Sequence, residues 1–280
     1  QLNLVTGDAQ AAAIDFEAGL TLTDGSDAPL TGLLRYDLAQ AHHYRGDNKQ
    51  AAKAARSALQ AGRTANDPTV MVRAYILLAD LEVVSDPKRA VVLANEGAAI
   101  AREASLDQFA IYFPQLLAQA YVRLNEWVLA ERHFGEGLEA ASGIGQSFTV
   151  CANHFGRAEA RVMGAQTPGA VDDLTTGIRL ALKIGSVRLL TWAAVVSCRL
   201  ALAEGRGSTE QARRLLTLVL NHPAADRSVG EKATTTWCDY LDDPVPQPGR
   251  HGGEPVGPDE VAEITLELLT LRDTTNQLAR

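Results

Sequence analysis

Cysteine is scarce: Cys151, Cys198 and Cys238 lie 47 and 40 residues apart, with no Cys-x-x-Cys pair. An odd, sparse set excludes a disulfide frame and a four-ligand zinc site, and fits reduced core thiols in a cytoplasmic protein. Aromatic residues make up only 5%, and the apolar share rests on Ala, Leu and Val, which suit closely packed helices better than sheets. Basic clusters are missing too. The formal net charge is -8, from 34 acidic and 26 basic residues, and the longest basic groupings are Lys88-Arg89 and Arg213-Arg214. Each opens an apolar helical pattern and reads as part of a solvated face, so direct nucleic-acid binding by this segment is excluded. No apolar run approaches the roughly 20 residues that span a bilayer, and no basic segment followed by an apolar stretch opens the chain. The first residue is Gln1 rather than Met, which fits a segment of a longer protein whose other parts hold an output activity.

The residue patterns of common catalysts are also lacking. A phosphate-binding loop needs Gly-x-x-x-x-Gly-Lys-Ser/Thr after a strand, and neither Gly143-Ile144-Gly145 nor Gly205-Arg206-Gly207-Ser208 supplies the Lys. His42 and His43 adjoin, so on a helix they point about 100° apart and grip one metal poorly. His133, His154, His222 and His251 have no Glu or His at ligand spacing. There is no Gly-x-Ser-x-Gly elbow, and the pairs Asp172-Asp173 and Asp242-Asp243 sit beside turns, where capping or solvation accounts for them. The expectation is a protein with no catalytic residues, metal or cofactor.

What is present is a core and a rhythm. Hydrophobic residues are 46% and charged residues 21% of the 280, the balance of a chain that folds around a sizeable interior. Turn formers recur at Gly7-Asp8, Gly46-Asp47, Asp86-Pro87, Asn125-Glu126, Gly164-Ala165 and Gly205-Arg206, in steps of 39, 40, 39, 39 and 41. Each is flanked by apolar helical patterns, so the unit is helix, tight turn, helix. A second row marks the joints between units: Asp24-Gly25-Ser26, Asn66-Asp67-Pro68, Ser105-Leu106-Asp107, Ser142-Gly143-Ile144-Gly145 and Ile184-Gly185-Ser186. Pro68 falls where a first-turn proline is tolerated.

Within the second helices runs a column of small residues, Ala12, Ala52, Ala90, Ala130, Ala170 and Ala212, which lets helix backbones approach. A small-then-large step follows at Ala58-Leu59, Gly137-Leu138, Gly177-Ile178 and Val219-Leu220. The first helices answer with a large residue before a small one at Leu38-Ala39, Leu78-Ala79, Leu117-Ala118 and Phe155-Gly156.

These features resemble the tetratricopeptide family. The stretch Leu117-Ala118, Tyr121, Asn125-Glu126, Ala130, Gly137-Leu138 fits it best, followed by Leu38-Ala39, Gly46-Asp47, Ala51, Ala58-Leu59, with His42 at the aromatic position. The period of about 40, against 34 in that family, is similar to the helical arms of bacterial signal-transduction ATPases and of large transcriptional activators of the maltose-regulator LuxR type and the antibiotic-regulatory type. The end of the arm, Ala212 to Leu216 through Asn221-His222-Pro223-Ala224 to Tyr240-Leu241, resembles theirs as well. The resemblance implies an all-α fold, a right-handed solenoid of about six helix pairs over residues 1–241 with C-terminal capping helices.

Residues 242–258 read as a Pro/Gly-rich linker. Beyond it, residues 259–280 form an amphipathic helix with Val261, Ile264, Leu268 and Leu271 as its stripe. It docks as a cap on the last repeat, or else serves self-association or a partner.

In tetratricopeptide arrays the first helices line a concave face. Carried over by position, that face would hold Tyr36, Gln40 and His43, then Tyr112, Gln115, Gln119 and Arg123, then Asn153 with Arg157, and Trp192 with Arg199. Together they offer stacking area, amide hydrogen bonds and carboxylate capture, which suit a protein, a peptide or a small effector. Tyr36, Tyr112 and Trp192 serve equally well as wedges between units. Gln119 and Arg157 point more firmly to a surface, because burying them without partners costs energy. The expected role is a non-catalytic binding module, the sensor or interaction arm of a bacterial regulatory protein, with a free-standing adaptor as the alternative.

Overall fold

The computed structural model describes residues 9–23, 27–143, 145–205, 208–225, 227–246 and 257–270. The turns expected at Gly7-Asp8 and Asp24-Gly25-Ser26, the residues Ile144, Arg206 and Leu271, and most of the linker lie outside them. The described residues form helices joined by turns and contain no strand. The chain divides into two compact units, Gln1–His133 and Phe134–Arg280.

The first unit holds α1 (Ala9–Leu22), α2 (Ala28–Tyr44), α3 (Asn48–Ala65), α4 (Pro68–Ser85), α5 (Pro87–Glu103), the short α6 (Asp107–Ala110), α7 (Tyr112–Arg123) and the start of α8 (Trp127–Gly143). Helix starts are set by acidic caps. Asp27, Asp47, Asp67 and Asp86 each accept a hydrogen bond from a first-turn N–H of α2, α3, α4 and α5, which satisfies donors the helix cannot pair itself. Pro68 and Pro87 then occupy the opening position, where no N–H is needed. Consecutive helices pack against each other from α1 to α5, and the first helices of successive pairs, α2 with α4 and α4 with α7, also touch.

The joints are chemically uniform. Left-handed residues stand at Asn66, Ser105, Gly145 and Gly185 between pairs, and at Gly46, Asn125, Ala165 and Gly205 within them. A chain leaving a helix through this conformation turns sharply. The turn at Asp86 differs, with φ -147: Asp86 ends α4 and its side chain caps α5, so one residue does both jobs.

The second unit contains the rest of α8, then α9 (Ser147–Met163), α10 (Ala170–Lys183), α11 (Val187–Glu204), α12 (Thr209–Asn221), α13 (Arg227–Tyr240) and α14 (Pro258–Thr270). Helix α9 packs on α10 and α11, and α11 on α12 and α13. Its core gathers Phe155, Leu174, Ile178, Leu190, Leu200, Leu215, Leu216 and Trp237. Helix α14 lies against α10, α11 and α12 and buries Val261, Ala262, Thr265, Leu268 and Leu269 there, with Ile264 half-buried against the same core. As a result α11 is almost wholly enclosed, each residue from Leu189 to Ala201 being buried except Trp192 and Arg199.

Close approach is built from missing side chains. A Cβ on Gly97 would stand 2.5 Å from Phe113 and 2.7 Å from the Tyr75 Cβ, one on Gly156 2.3 Å from Phe134, and one on Gly177 2.4 Å from Phe155. The small column is buried at Ala12, Ala90, Ala130, Ala170 and Ala212. In the α3 repeat, however, Ala51 is the fully buried residue and Ala52 is only half-buried, so the expected position there is one residue late.

Candidate functional site

In the first unit, one face of α2, α4 and α7 collects most of the expected residues. The guanidinium of Arg73, on α4, stands 5.5 Å from the Tyr36 ring centre and 5.1 Å from that of Phe109. Gln40 Nε2 donates to the Tyr36 hydroxyl at 2.6 Å. Burial pushes the Tyr36 phenol up to about 12, although the charge of Arg73 works the other way. Two turns further along the same helices, His43 Nε2 lies 3.5 Å from Asp80 Oδ2. Burial raises the Asp80 carboxyl above its ordinary range, against the pull of His43.

The α7 residues form a separate stripe. Tyr112, Gln115 and Gln119 are half-buried and Arg123 is exposed, and the steps of 3, 4 and 4 place them on one side of the helix. Among the described residues none of these four side chains has a hydrogen-bond or ion-pair partner.

The second unit uses its corresponding face differently. Asp173 of α10 is 3% exposed and is surrounded by α9 cations. Arg157 donates twice to it, Nε to Oδ2 at 2.9 Å and Nη2 to Oδ1 at 2.6 Å. Arg161 Nη1 donates to Oδ2 at 2.7 Å, and His154 Nδ1 lies 2.8 Å from Oδ1. Burial alone would raise this carboxyl, and the hydrogen bonds from His154 and Arg157 with the charges of Arg157 and Arg161 hold it below its usual value instead.

Beside it, Glu159 accepts from Trp192 Nε1 at 3.1 Å and from Lys232 Nζ, whose ammonium also stands 5.1 Å over the Trp192 ring. Arg199 joins Asp239 and the Met163 sulfur. These contacts tie α9, α11 and α13 together at two levels.

The expected positions therefore fall into three groups. Tyr36, Gln40, His43, Arg157, Trp192 and Arg199 stand on the helices expected but are engaged by neighbours as braces. Tyr112, Gln115, Gln119 and Arg123 remain unengaged. Asn153 leaves the exposed face altogether: it is fully buried, its amide lies over Gly137, and neither amide atom has a hydrogen-bond partner. An unsatisfied buried amide costs about 1–3 kcal/mol.

Asp173 is a second correction, because it counters a cation cluster where capping or solvation was expected; Asp172, one residue earlier, is exposed. The spacing of His154, Arg157 and Arg161, 3 and 4 apart on α9, held the signal, since three cationic groups on one face require a counter-charge. Arg73, Asp80, Phe109, Glu159 and Lys232 were not singled out from the sequence. Arg73 and Asp80 repeat the seven-residue interval of Tyr36 and His43, as do Trp192 with Arg199 and Lys232 with Asp239.

Among the described residues no group of three or more His, Cys, Asp or Glu side chains is placed to hold a metal ion, and no helix is long and apolar enough to cross a membrane. No family model matches the chain, and no curated protein matches it. Among solved structures it is similar to BtubC (BKLC) from P. vanneervenii, with a TM-score of 0.59 and 15% identity over 89% of this chain and 95% of that one. At that identity the likeness speaks to the fold alone.

Proposed function

We propose that the chain is a non-catalytic binding module: a right-handed α-solenoid of about six tetratricopeptide-like helix pairs whose first-helix face takes up a protein or peptide. In this reading it is the interaction arm of a larger bacterial regulatory protein, working in the cytoplasm. One observation carries the proposal. Along α7, Tyr112, Gln115, Gln119 and Arg123 line one side of a first helix with no partner among the described residues, while the matching positions of the second unit are taken up by ion pairs. Half-buried amides without partners are costly, and a peptide backbone supplies the donors and acceptors they need. The histidines and carboxylates nearby act between helices, which supports binding over catalysis.

The test is a random-peptide selection on the full chain, followed by affinity measurements with Gln115→Ala and Gln119→Ala combined. Selected peptides should lose about tenfold or more, since each amide contributes about 1 kcal/mol through its hydrogen bonds. A selection that yields no binder, or binders indifferent to both changes, refutes the proposal. The second reading, a free-standing adaptor, is favoured by the 95% coverage of the solved BtubC chain, which leaves little of that chain beyond this fold. An adaptor keeps its partner when this segment alone is used in a pull-down, whereas a sensor arm responds to its cue and transmits to a separate output domain.

A further inference from the structure

We infer that the α2–α4–α7 face of the first unit is a receptor for an acidic peptide segment, with one peptide carboxylate seated on the edge of the Arg73 guanidinium. This deepens the reading above and rests on it. The reasoning starts from what Arg73 has and what it lacks. Its side chain is half-buried, and the rings of Tyr36 and Phe109 stand 5.5 and 5.1 Å from its guanidinium carbon. Ring contacts attract the cation but leave its five N–H donors unused, and those donors match a carboxylate in a fixed fork. Among the described residues Arg73 has no hydrogen bond and no ion pair.

The same kind of position in the second unit is always filled. Arg157, Arg161 and His154 meet Asp173, Lys232 meets Glu159, and Arg199 meets Asp239. In the first unit His43 meets Asp80, and Arg73 alone of these braces is built without its anion. The two rings fix the guanidinium in place beforehand, so little side-chain entropy is lost when a carboxylate arrives.

The neighbouring helix supplies the rest of a peptide site. Helix α7 packs on α4, and its stripe offers Gln115 and Gln119 for backbone amides and Arg123 for a second carboxylate. With a rise of about 1.5 Å per residue, Gln115 and Arg123 stand roughly 12 Å apart, the span of about four extended residues. The net charge of -8 disfavours any acidic ligand elsewhere on the chain, so affinity for one requires a local site. Phosphate backbones demand a larger cluster of cations than this face provides.

The experiment uses the full chain with three fluorescein-labelled probes: hexaglutamate, hexaglutamine and oligothymidylate, read by anisotropy at physiological ionic strength. Hexaglutamate should bind at least about tenfold tighter than either other probe. Arg73→Gln should remove at least about tenfold of that affinity, while Arg213→Gln, which deletes an equal charge from a cation already paired with Glu210 and Asp243, should change it less than twofold. Should Arg73→Gln disturb folding, arginine modification by phenylglyoxal on the unaltered chain gives the same answer: hexaglutamate protects Arg73, and hexaglutamine does not. Equal loss in both variants, no preference for hexaglutamate, tighter binding of oligothymidylate, or an unprotected Arg73 overturns the inference. If hexaglutamine binds as well as hexaglutamate and Gln115→Ala with Gln119→Ala weakens both, the peptide-binding face stands and the carboxylate receptor falls.

Discussion

Replacing Gly97 with alanine tests how closely the helices of the first unit approach. In an open helix the change is favourable by about 1 kcal/mol, because alanine restricts the unfolded chain and suits the helix. At Gly97 the new Cβ would lie 2.5 Å from Phe113 Cε1, 2.6 Å from its Cζ and 2.7 Å from Tyr75 Cβ, where carbon atoms prefer about 3.5–4.0 Å. Phe113 and Tyr75 are 1% and 2% exposed, so the ring has no space to swing into. The Tyr75 Cβ moves only with its backbone. Helix α5 must therefore shift from α4 and α7 by about 1 Å, and overpacking of this kind costs about 1–3 kcal/mol, occasionally more. Because the contact involves backbone-anchored carbon, the cost should exceed the propensity gain, for a net loss of about 1–2 kcal/mol. In a domain of this size that lowers the melting temperature by roughly 2–8 °C, measured by circular dichroism. Gly230→Ala is the control: nothing lies within 4 Å of its Cβ position, and that variant should melt at or above the parent. A Gly97→Ala protein as stable as the parent would refute the close-packed helix pair.

Asp173→Asn should cost about 2–4 kcal/mol at neutral pH, since it strands Arg157 and Arg161, an effect moderated by their partial exposure. Because the folded-state carboxyl of Asp173 lies below its ordinary value, its stabilisation is complete above the unfolded-state pKa of about 4 and is lost as pH falls through the folded value. Urea unfolding across pH 2–6 should show a flatter acid limb in the variant, and parallel limbs would contradict the assignment. A disulfide reagent should modify one thiol quickly in the native chain, the exposed Cys238, while Cys151 and Cys198 wait for unfolding; burial raises both of those thiols, Cys151 to about 11. Two fast thiols would mean that one of the cores opens. Asn153→Leu keeps the volume and removes two unsatisfied atoms, so urea midpoints should stay level or rise by up to about 1 kcal/mol. A loss beyond that would show that the amide has a partner.

The repeat was legible because helix ends are chemically demanding. A left-handed exit favours glycine or asparagine, and Gly46, Asn66, Asn125, Gly145, Gly185 and Gly205 announce themselves as turn formers. Where the chain uses Ser105 or Ala165 in that conformation, only the period gives them away. Gly97 was passed over in the small-then-large series because Ala98 follows it, yet Gly97, Gly137 and Gly177 form one column at intervals of 40. The site was legible by residue type but not by partner. Trp192 is 33 residues from Glu159, and Lys232 is 73. No local pattern links such pairs, so engaged and free side chains look alike in the sequence.

The contrast between the two units follows from what each uses to hold its first helices together. These helices meet along faces that cannot be fully apolar, because one side remains half-open to water. The second unit bridges them with opposite charges, Glu159 with Lys232 and Arg199 with Asp239, and such a bridge is electrically complete. The first unit bridges α2, α4 and α6 with aromatic rings around a single cation. Rings draw the charge to the face without neutralising it, and the hydrogen-bonding edge of Arg73 is left for something else to fill. Stability gained through a neutral bridge belongs to the folded chain alone, whereas a cation held by rings gains further when an anion binds. Binding capacity on this face therefore tracks which braces lack a carboxylate, rather than which residues are merely polar or aromatic.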